Sequence, residues 1–207
     1  MTDVLSVNVE DSAEEAAIGA HGSSTGISNE KLAMWVFLGS DCLLFGALIS
    51  TYLLLRHRSV SGPTPEEIFD IPFTSVSSFV LLMSSLTMAL AVGAIHRGEL
   101  RRCRTWLLTT ALLGGTFIGG QVYEFTSFVH HGLGYTTNIF GSAFFTLTGF
   151  HGVHVSVGIM FLMALFVMSL RGKIDQSKAE TVEIFGLYWH FVDIVWIVIF
   201  TVVYLIP

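Results

Sequence analysis

Five long apolar stretches constrain the fold of this 207-residue chain more than any other feature. A transmembrane helix needs about 20 mainly apolar residues to cross about 30 Å of hydrocarbon, and each stretch reaches that length. The predicted spans cover about residues 32–55, 74–95, 105–129, 139–170 and 184–206. We therefore expect an all-α integral membrane protein in which residues 31–207 form a bundle of five transmembrane helices. The fourth is longer than a bilayer requires, so it must tilt or project.

The charge content supports lipid as the solvent for most of the chain. Only 13% of the residues are charged, against about 25% in a typical soluble domain. Six of the sixteen acidic residues lie in the first thirty positions, which hold few large apolar side chains. We expect residues 1–30 to form an acidic, mobile tail. The net charge of −6 comes largely from this tail and gives no case for nucleic-acid binding.

The basic residues predict the orientation of the spans, because cytoplasmic loops are enriched in Lys and Arg. If the N-terminus lies inside, the inner segments hold eight of the ten Lys and Arg residues. The outer segments then hold only Arg56 and Arg58. We therefore expect the N-terminus on the cytoplasmic side and the C-terminus on the opposite side.

Small and hydroxyl-bearing residues predict where the helices pack. Gly115 and Gly119 are spaced to permit close backbone approach between helices. Ser84, Ser85 and Thr87 can bond either across an interface or back to their own helix. The two cysteines, Cys42 and Cys103, should lie at different depths, so we expect no disulfide between them.

Ionisable side chains occur inside the predicted spans, although a charge at the bilayer centre costs several kcal/mol. They are Asp41, Glu124, His151, His154, His190 and Asp193. A spacing of three residues puts two side chains on one helical face. The pairs so placed are Gln121 with Glu124, His151 with His154, and His190 with Asp193. If these faces converge, the interior holds a network of acids and imidazoles.

Three explanations of these residues stay open from the residues alone. His151 and His154 could bring two imidazoles to one metal or haem, but a third ligand at a diagnostic spacing is missing. The carboxylates could relay protons or bind a coupling ion, as in a stand-alone transporter. The polar side chains could instead join helices and bind phospholipid headgroups beside a larger complex. We predict neither a catalytic residue nor a metal ligand on this chain.

Five motifs, taken together, resemble subunit III of the haem–copper respiratory oxidases. They are Gly39-Ser-Asp-Cys42, Gly120-Gln-Val-Tyr-Glu-Phe125, Gly141-Ser-Ala-Phe-Phe145, Gly149-Phe-His-Gly-Val-His154 and Tyr188-Trp-His-Phe-Val-Asp-Ile-Val-Trp196. The resemblance covers roughly residues 30 to 207. It implies the short bacterial form with five helices, in an inner membrane with a periplasmic C-terminus.

The resemblance also implies partners and cofactors. Such a subunit packs against oxidase subunits I and II, which carry the haems and copper, with CuB and, in a cytochrome c oxidase, CuA. It holds no redox centre itself, binds phospholipids and supports assembly and proton uptake. The holoenzyme would be a proton pump that reduces O₂ to water. Cytochrome c is the expected electron donor through another subunit, and quinol is the alternative.

The resemblance assigns roles to individual positions. Asp41 stands where the family has an intramembrane carboxylate, usually Glu after Ser, so it is the expected proton-uptake group. Because Asp is one methylene shorter than Glu, the resemblance does not extend to the family's carboxylate-directed chemical reactivity at this position. The remaining positions are expected to form a lipid-binding or interhelical polar network: Gln121, Glu124, His151, His154, Tyr188, His190, Asp193 and Trp196.

Overall fold

A computed structural model describes residues 28–56, 58 and 70–206. The acidic tail predicted for residues 1–30 therefore lies almost wholly outside the described residues. Every regular element in the described part is helical. The five α-helices are α1 (Asn29–Leu55), α2 (Ile71–His96), α3 (Leu100–His130), α4 (Ile139–Leu170) and α5 (Ala179–Phe200). A 3-10 turn, Gln176–Lys178, precedes α5, and a π-helical turn, Thr201–Leu205, continues it.

Local sequence explains where these helices begin and end. The Asp70 side chain accepts a hydrogen bond from Phe73 N (3.1 Å) at the start of α2, and Asn138 accepts one from Gly141 N (2.6 Å) at the start of α4. After α2, α3 and α4 the chain turns at a glycine with positive φ, a backbone region that favours glycine. These glycines are Gly98 (φ 75°), Gly132 (φ 87°) and Gly172 (φ 69°).

Four of the five helices are long and apolar enough to cross a membrane. They are α1, α2, α4 and the segment Gln176–Leu205 that contains α5. The third helix, α3, has 31 residues, which is long enough by rise alone, but its Gly, Thr, Gln and Glu residues lower its hydropathy. The all-helical, multi-pass membrane class is thus confirmed, while the fifth crossing stays a prediction.

The described residues fall in two units, which divide between Ser40 and Asp41. In the first unit, Ser28 Oγ accepts a hydrogen bond from Lys31 N (3.3 Å) in the first turn of α1. In the second unit, α2 packs along α3 and α5, and α4 packs against α3 and α5. The two cysteines are free, as predicted, with Cys42 exposed and Cys103 buried.

The close helix contact predicted at Gly115 and Gly119 is wrong, because other glycines make it. No atom lies within 4 Å of where a Cβ would stand at Gly115 or Gly119. The close approach occurs instead at Gly114 on α3 and Gly158 on α4, which face the buried ring of Trp189. A Cβ would stand 2.6 Å from Trp189 Cη2 at Gly114 and 2.9 Å from Cε3 at Gly158. The two glycines therefore make room for an indole between α3 and α4.

Two loops meet at one end of the second unit, which we call the basic end. Gln176 Nε2 donates a hydrogen bond to His96 O (2.8 Å) and so joins the loop before α5 to the end of α2. Arg104 donates through Nε to Ser169 Oγ (2.9 Å) and through Nη2 to Ser169 O (2.6 Å), which satisfies a carbonyl in the last turn of α4. The basic residues at this end are Arg97, Arg101, Arg102, Arg104, Arg171, Lys173 and Lys178.

Candidate functional site

A carboxylate and an imidazole face each other between α1 and α4. Asp41 is only 6% exposed, and its Oδ2 lies 3.7 Å from His154 Nε2. The other ring nitrogen, His154 Nδ1, lies 2.7 Å from Phe150 O. Because a carbonyl oxygen can only accept, Nδ1 must carry a proton. The Nε2 atom is therefore the ring nitrogen that is left to face Asp41.

His151, one turn before His154, has entirely different surroundings. It is 1% exposed, and neither ring nitrogen has a hydrogen-bond partner among the described residues. Its ring stacks on Trp196 at a centroid distance of 4.9 Å and meets Phe117 edge-on at 6.0 Å. The Phe45 ring lies edge-on to both imidazoles, with its centroid 6.4 Å from that of His151 and 5.0 Å from that of His154. His151 thus packs as an aromatic ring rather than as a hydrogen-bonding group.

Glu124 on α3 is the centre of a second polar group, far along the chain from Asp41. It is 3% exposed, and its Oε1 accepts a hydrogen bond from Thr74 Oγ1 of α2 (2.6 Å). Gln121 Nε2 donates to Glu124 Oε2 (3.2 Å), as their predicted shared face requires. This carboxyl therefore joins α3 to α2.

Three serines of α2 bond to three rings of α5, and we call these contacts the serine ladder. Trp196 Nε1 donates to Ser78 Oγ (2.9 Å), and Trp189 Nε1 donates to Ser84 Oγ (3.0 Å). Ser85 Oγ lies 2.6 Å from His190 Nδ1. The ladder satisfies buried polar atoms that lipid could not, and it fixes the register of the two antiparallel helices.

Asp193 and Tyr188 also lie on α5, in different surroundings. Asp193 is 2% exposed, and neither of its carboxyl oxygens has a hydrogen-bond partner among the described residues. The Tyr188 hydroxyl donates to His154 O (2.9 Å) and so ties α5 to α4 beside the Asp41 pair. Of the two residues that were expected to share a face, His190 bonds to Ser85, whereas Asp193 makes no hydrogen bond within the described part of the chain.

The predicted residues are thus brought together in separate places rather than in one network. One place holds Asp41 with His154 and a second holds Gln121 with Glu124, whereas His190 bonds to Ser85 and not to Asp193. Within the described residues, no three His, Cys, Asp or Glu side chains are arranged to hold a metal ion. The two histidines of α4 do not converge on a shared ligand position, since His154 faces Asp41 and His151 faces aromatic rings.

Sequence reasoning missed two of the hydrogen-bonding residues, Ser78 and Thr74. Ser78 lies seven residues before Ser85, two helical turns away, so extending the predicted serine face along α2 would have found it. Thr74 had no comparable signal, because one hydroxyl near the end of an apolar span does not reveal its partner. Both bonding modes left open for the hydroxyl groups of α2 occur. Ser84 and Ser85 bond to rings of α5, and Thr87 Oγ1 bonds to Thr110 Oγ1 of α3 (2.8 Å). The Ser84 and Thr87 hydroxyls also donate back to carbonyls of their own helix.

Comparison with known proteins extends along almost the whole chain. The family model described as cytochrome c oxidase subunit III matches residues 4–206. The chain is 40% identical over 177 residues to cytochrome c oxidase subunit 3 of Bacillus sp. (strain PS3), which covers 86% of each chain. It is 39% identical over 174 residues to quinol oxidase subunit 3 of Bacillus subtilis (strain 168), covering 84% of this chain and 85% of that one. It is 37% identical over 204 residues to cytochrome bo(3) ubiquinol oxidase subunit 3 of Pseudomonas aeruginosa, covering 99% and 97%.

Proposed function

Because the chain belongs to the cytochrome c oxidase subunit III family, the third subunit of haem–copper terminal oxidases, we propose that it is the non-redox core subunit of a proton-pumping oxidase that reduces O₂ to water. The observation that carries this proposal is the family match over residues 4–206. Its partners are oxidase subunits I and II, on which the haems and copper lie. The chain contributes to assembly, phospholipid binding and proton uptake.

In this proposal all five helices cross a bacterial inner membrane, with the N-terminus in the cytoplasm. The length of α3, 31 residues, supports its crossing, because it corresponds to about 46 Å of helix. Its packing against α2 and α4, which are both apolar enough to span a membrane, also supports it. The seven Lys and Arg residues of the basic end support a cytoplasmic position for that end.

Asp41 is the group that we assign to proton uptake, with His154 as its partner. The pair is almost buried, and the 3.7 Å separation lies outside a direct hydrogen bond yet within ion-pair reach. A proton added to this pair can reside on Asp41 or on His154 Nε2. A buried acid with a titratable partner is the arrangement that membrane proton relays use.

The other polar contacts serve assembly in this proposal. The serine ladder and the Glu124 contacts join helices through groups that would otherwise be costly in hydrocarbon. The polar residues that do not pair within the chain remain available to phospholipids or neighbouring subunits.

The electron donor of the holoenzyme is proposed to be cytochrome c, with quinol as the alternative. The names of the relatives do not discriminate, because they include a cytochrome c oxidase subunit at 40% identity and a quinol oxidase subunit at 39%. Donor binding is a property of other subunits, so the residues of this chain carry little information about it.

One purification tests the proposal and its main rival, a stand-alone ion transporter. The tagged chain is purified from its native membrane in mild detergent. We expect it to retain a haem-bearing partner and to consume O₂ with reduced cytochrome c more rapidly than with quinol. A colourless, homogeneous assembly of this chain alone would contradict the proposal, and faster oxidation of quinol would reverse the choice of donor. Metal that stays bound stoichiometrically after the partners are stripped away would favour a membrane metalloenzyme instead.

A further inference from the structure

A lateral groove of about 220 Å³ lies between α2 and α5 in the second unit. Its lining residues are Ala89, Val92, Glu183, Gly186, Leu187 and His190. Small side chains make it concave, since a Cβ at Gly186 would stand 3.2 Å from Val92 Cγ2. The surface beside the groove is apolar: Leu86 is 54% exposed and Ile194 is 59% exposed, each one turn from a lining residue.

Two polar side chains, His190 and Glu183, line this otherwise apolar groove. The Nδ1 atom of His190 is engaged by Ser85, the last contact of the serine ladder. Its other ring nitrogen, Nε2, has no hydrogen-bond partner in the part of the chain that the structure describes, although the ring is only partly exposed. Glu183 lies two turns away at the basic end of the groove, with its Oε2 3.9 Å from His96 Nε2.

The depth of His190 restricts what can satisfy the imidazole. It lies eleven residues after Ala179 and fifteen before Leu205. At a rise of 1.5 Å per residue, these separations correspond to about 17 Å and about 22 Å along the helix. The hydrocarbon core is about 30 Å thick, so His190 lies near its centre, beyond the ordinary reach of lipid headgroups. Acyl chains there offer no hydrogen bond, and an unpaired polar group in hydrocarbon is costly.

We infer that this groove is the docking surface for a transmembrane helix of a neighbouring oxidase subunit, which places a hydroxyl or amide side chain against His190 Nε2. The inference rests on the proposed function, since it needs a partner subunit. A hydroxyl or amide fits because it can donate or accept, whichever tautomer the Ser85 contact selects. An apolar groove with one central polar contact matches the way helices associate in membranes.

Photo-cross-linking in the assembled oxidase tests which molecule covers the groove. Benzoylphenylalanine replaces Leu187 in the groove and, as a control, Leu112, which is 64% exposed on α3. We expect illumination to join the Leu187 variant to another subunit of the complex and to give a lower yield of that adduct from the Leu112 variant. Adducts to lipid alone from position 187, a dimer of this chain, or equal yields from both positions would overturn the inference.

Two substitutions of His190 separate docking from the serine ladder. An asparagine amide reaches the place of Nδ1 and a glutamine amide reaches the place of Nε2. His190→Asn therefore keeps the Ser85 contact and removes the group that faces the partner, whereas His190→Gln does the reverse. We expect His190→Asn to weaken retention of the chain in the complex about tenfold in a detergent titration, the size of one lost hydrogen bond. His190→Gln should weaken retention less.

The opposite ranking of the two variants would overturn the inference, because it would make the Ser85 contact the important one. These results are distinguishable from failure of the proposed function. A chain that purifies without a haem-bearing subunit removes the proposed function itself. A chain that copurifies with one, but whose Leu187 variant captures only lipid, removes the groove inference alone.

Discussion

Two histidines one turn apart on α4 illustrate how strongly surroundings decide what a residue can do. His154 has the Phe150 carbonyl against one ring nitrogen and the Asp41 carboxyl near the other. His151 is enclosed by aromatic rings and has no hydrogen-bond partner among the described residues. The same residue type thus faces a carboxyl group at one position and packs as an aromatic ring at the other.

At Asp41, replacement by asparagine is expected to leave assembly intact while lowering sustained turnover or proton uptake. Asparagine has nearly the same shape, but it cannot take up a proton opposite His154. The measurement is O₂ consumption and proton uptake by the purified oxidase over many turnovers. Cys42→Ser, at the adjacent exposed position, is the control. Unchanged activity over a long assay would show that the acid only packs.

At His151, replacement by phenylalanine is expected to leave the free energy of unfolding unchanged or to raise it by about 1 kcal/mol. The substitution keeps an aromatic ring against Trp196 and removes two buried nitrogens that lack partners. The unfolding temperature of the oxidase in detergent checks this. A loss of more than about 2 kcal/mol would mean that the imidazole has a partner outside the described residues.

At the scale of the helices, the amino-acid pattern predicted the elements well and their contacts less well. Residues 139–170 were predicted to be a helix and are α4. The helix α5 begins at Ala179 rather than at residue 184, because its first five residues include Glu180 and Glu183 and lack the apolar signal on which a span prediction depends. The pairing of residues three apart was informative only where both side chains were hydrogen-bonding groups, as for Gln121 and Glu124.

The glycines of α3 show why contacts are harder to predict than helices. The spacing of Gly115 and Gly119 identified a face of small residues, but only the fold reveals that the indole of Trp189 lies against the adjacent Gly114. We expect Gly114→Ala to destabilise the oxidase by about 1–3 kcal/mol, because the new methyl group overlaps a buried ring. Gly115→Ala, the matched control, should be close to neutral. Thermal unfolding of both variants in the complex is the measurement, and a costlier Gly115→Ala would contradict the assignment.

The loop before α5 carries a pH-dependent contact outside the membrane. Asp175 accepts hydrogen bonds from Ser177 N (3.0 Å) and Ser177 Oγ (2.5 Å). The Ser177 hydroxyl bond is the main reason that the pKa of Asp175 lies below its ordinary value of 3.8. A lowered folded-state pKa stabilises the loop at pH values above 3.8, and this contribution disappears as the pH falls through the folded-state pKa.

Substitution of Asp175 checks that sign. Asp175→Asn should lower the unfolding temperature slightly at pH 6, and the difference from wild type should shrink towards pH 3. A difference that grows as the solution becomes more acidic would have the wrong sign for a carboxylate stabilised by Ser177.

For the whole molecule, the distribution of positive charge supports one orientation in the membrane. The basic end joins the α2–α3 turn to the loop before α5, so its Lys and Arg residues lie on one side of the protein. The α3–α4 turn lies at the opposite ends of the helices. If the basic end is cytoplasmic, the α3–α4 turn faces the periplasm.

Single-cysteine labelling tests this orientation. With Cys42 and Cys103 changed to serine, a cysteine is introduced at Lys173 of the basic end or at Thr136 of the α3–α4 turn. A membrane-impermeant maleimide added to intact cells should label Lys173→Cys poorly and Thr136→Cys well. Labelling of position 173 in intact cells, with none at 136, would invert the topology.

The two tryptophans of the serine ladder also provide an intrinsic fluorescent probe. Two of the chain's four tryptophans, Trp189 and Trp196, are buried and donate their indole N–H groups to α2, whereas Trp35 is 54% exposed. Separation of α2 from α5 would release both indoles from fixed hydrogen bonds into a different solvent. A change in the emission wavelength of the isolated subunit therefore reports the opening of this one helix pair, without any attached dye.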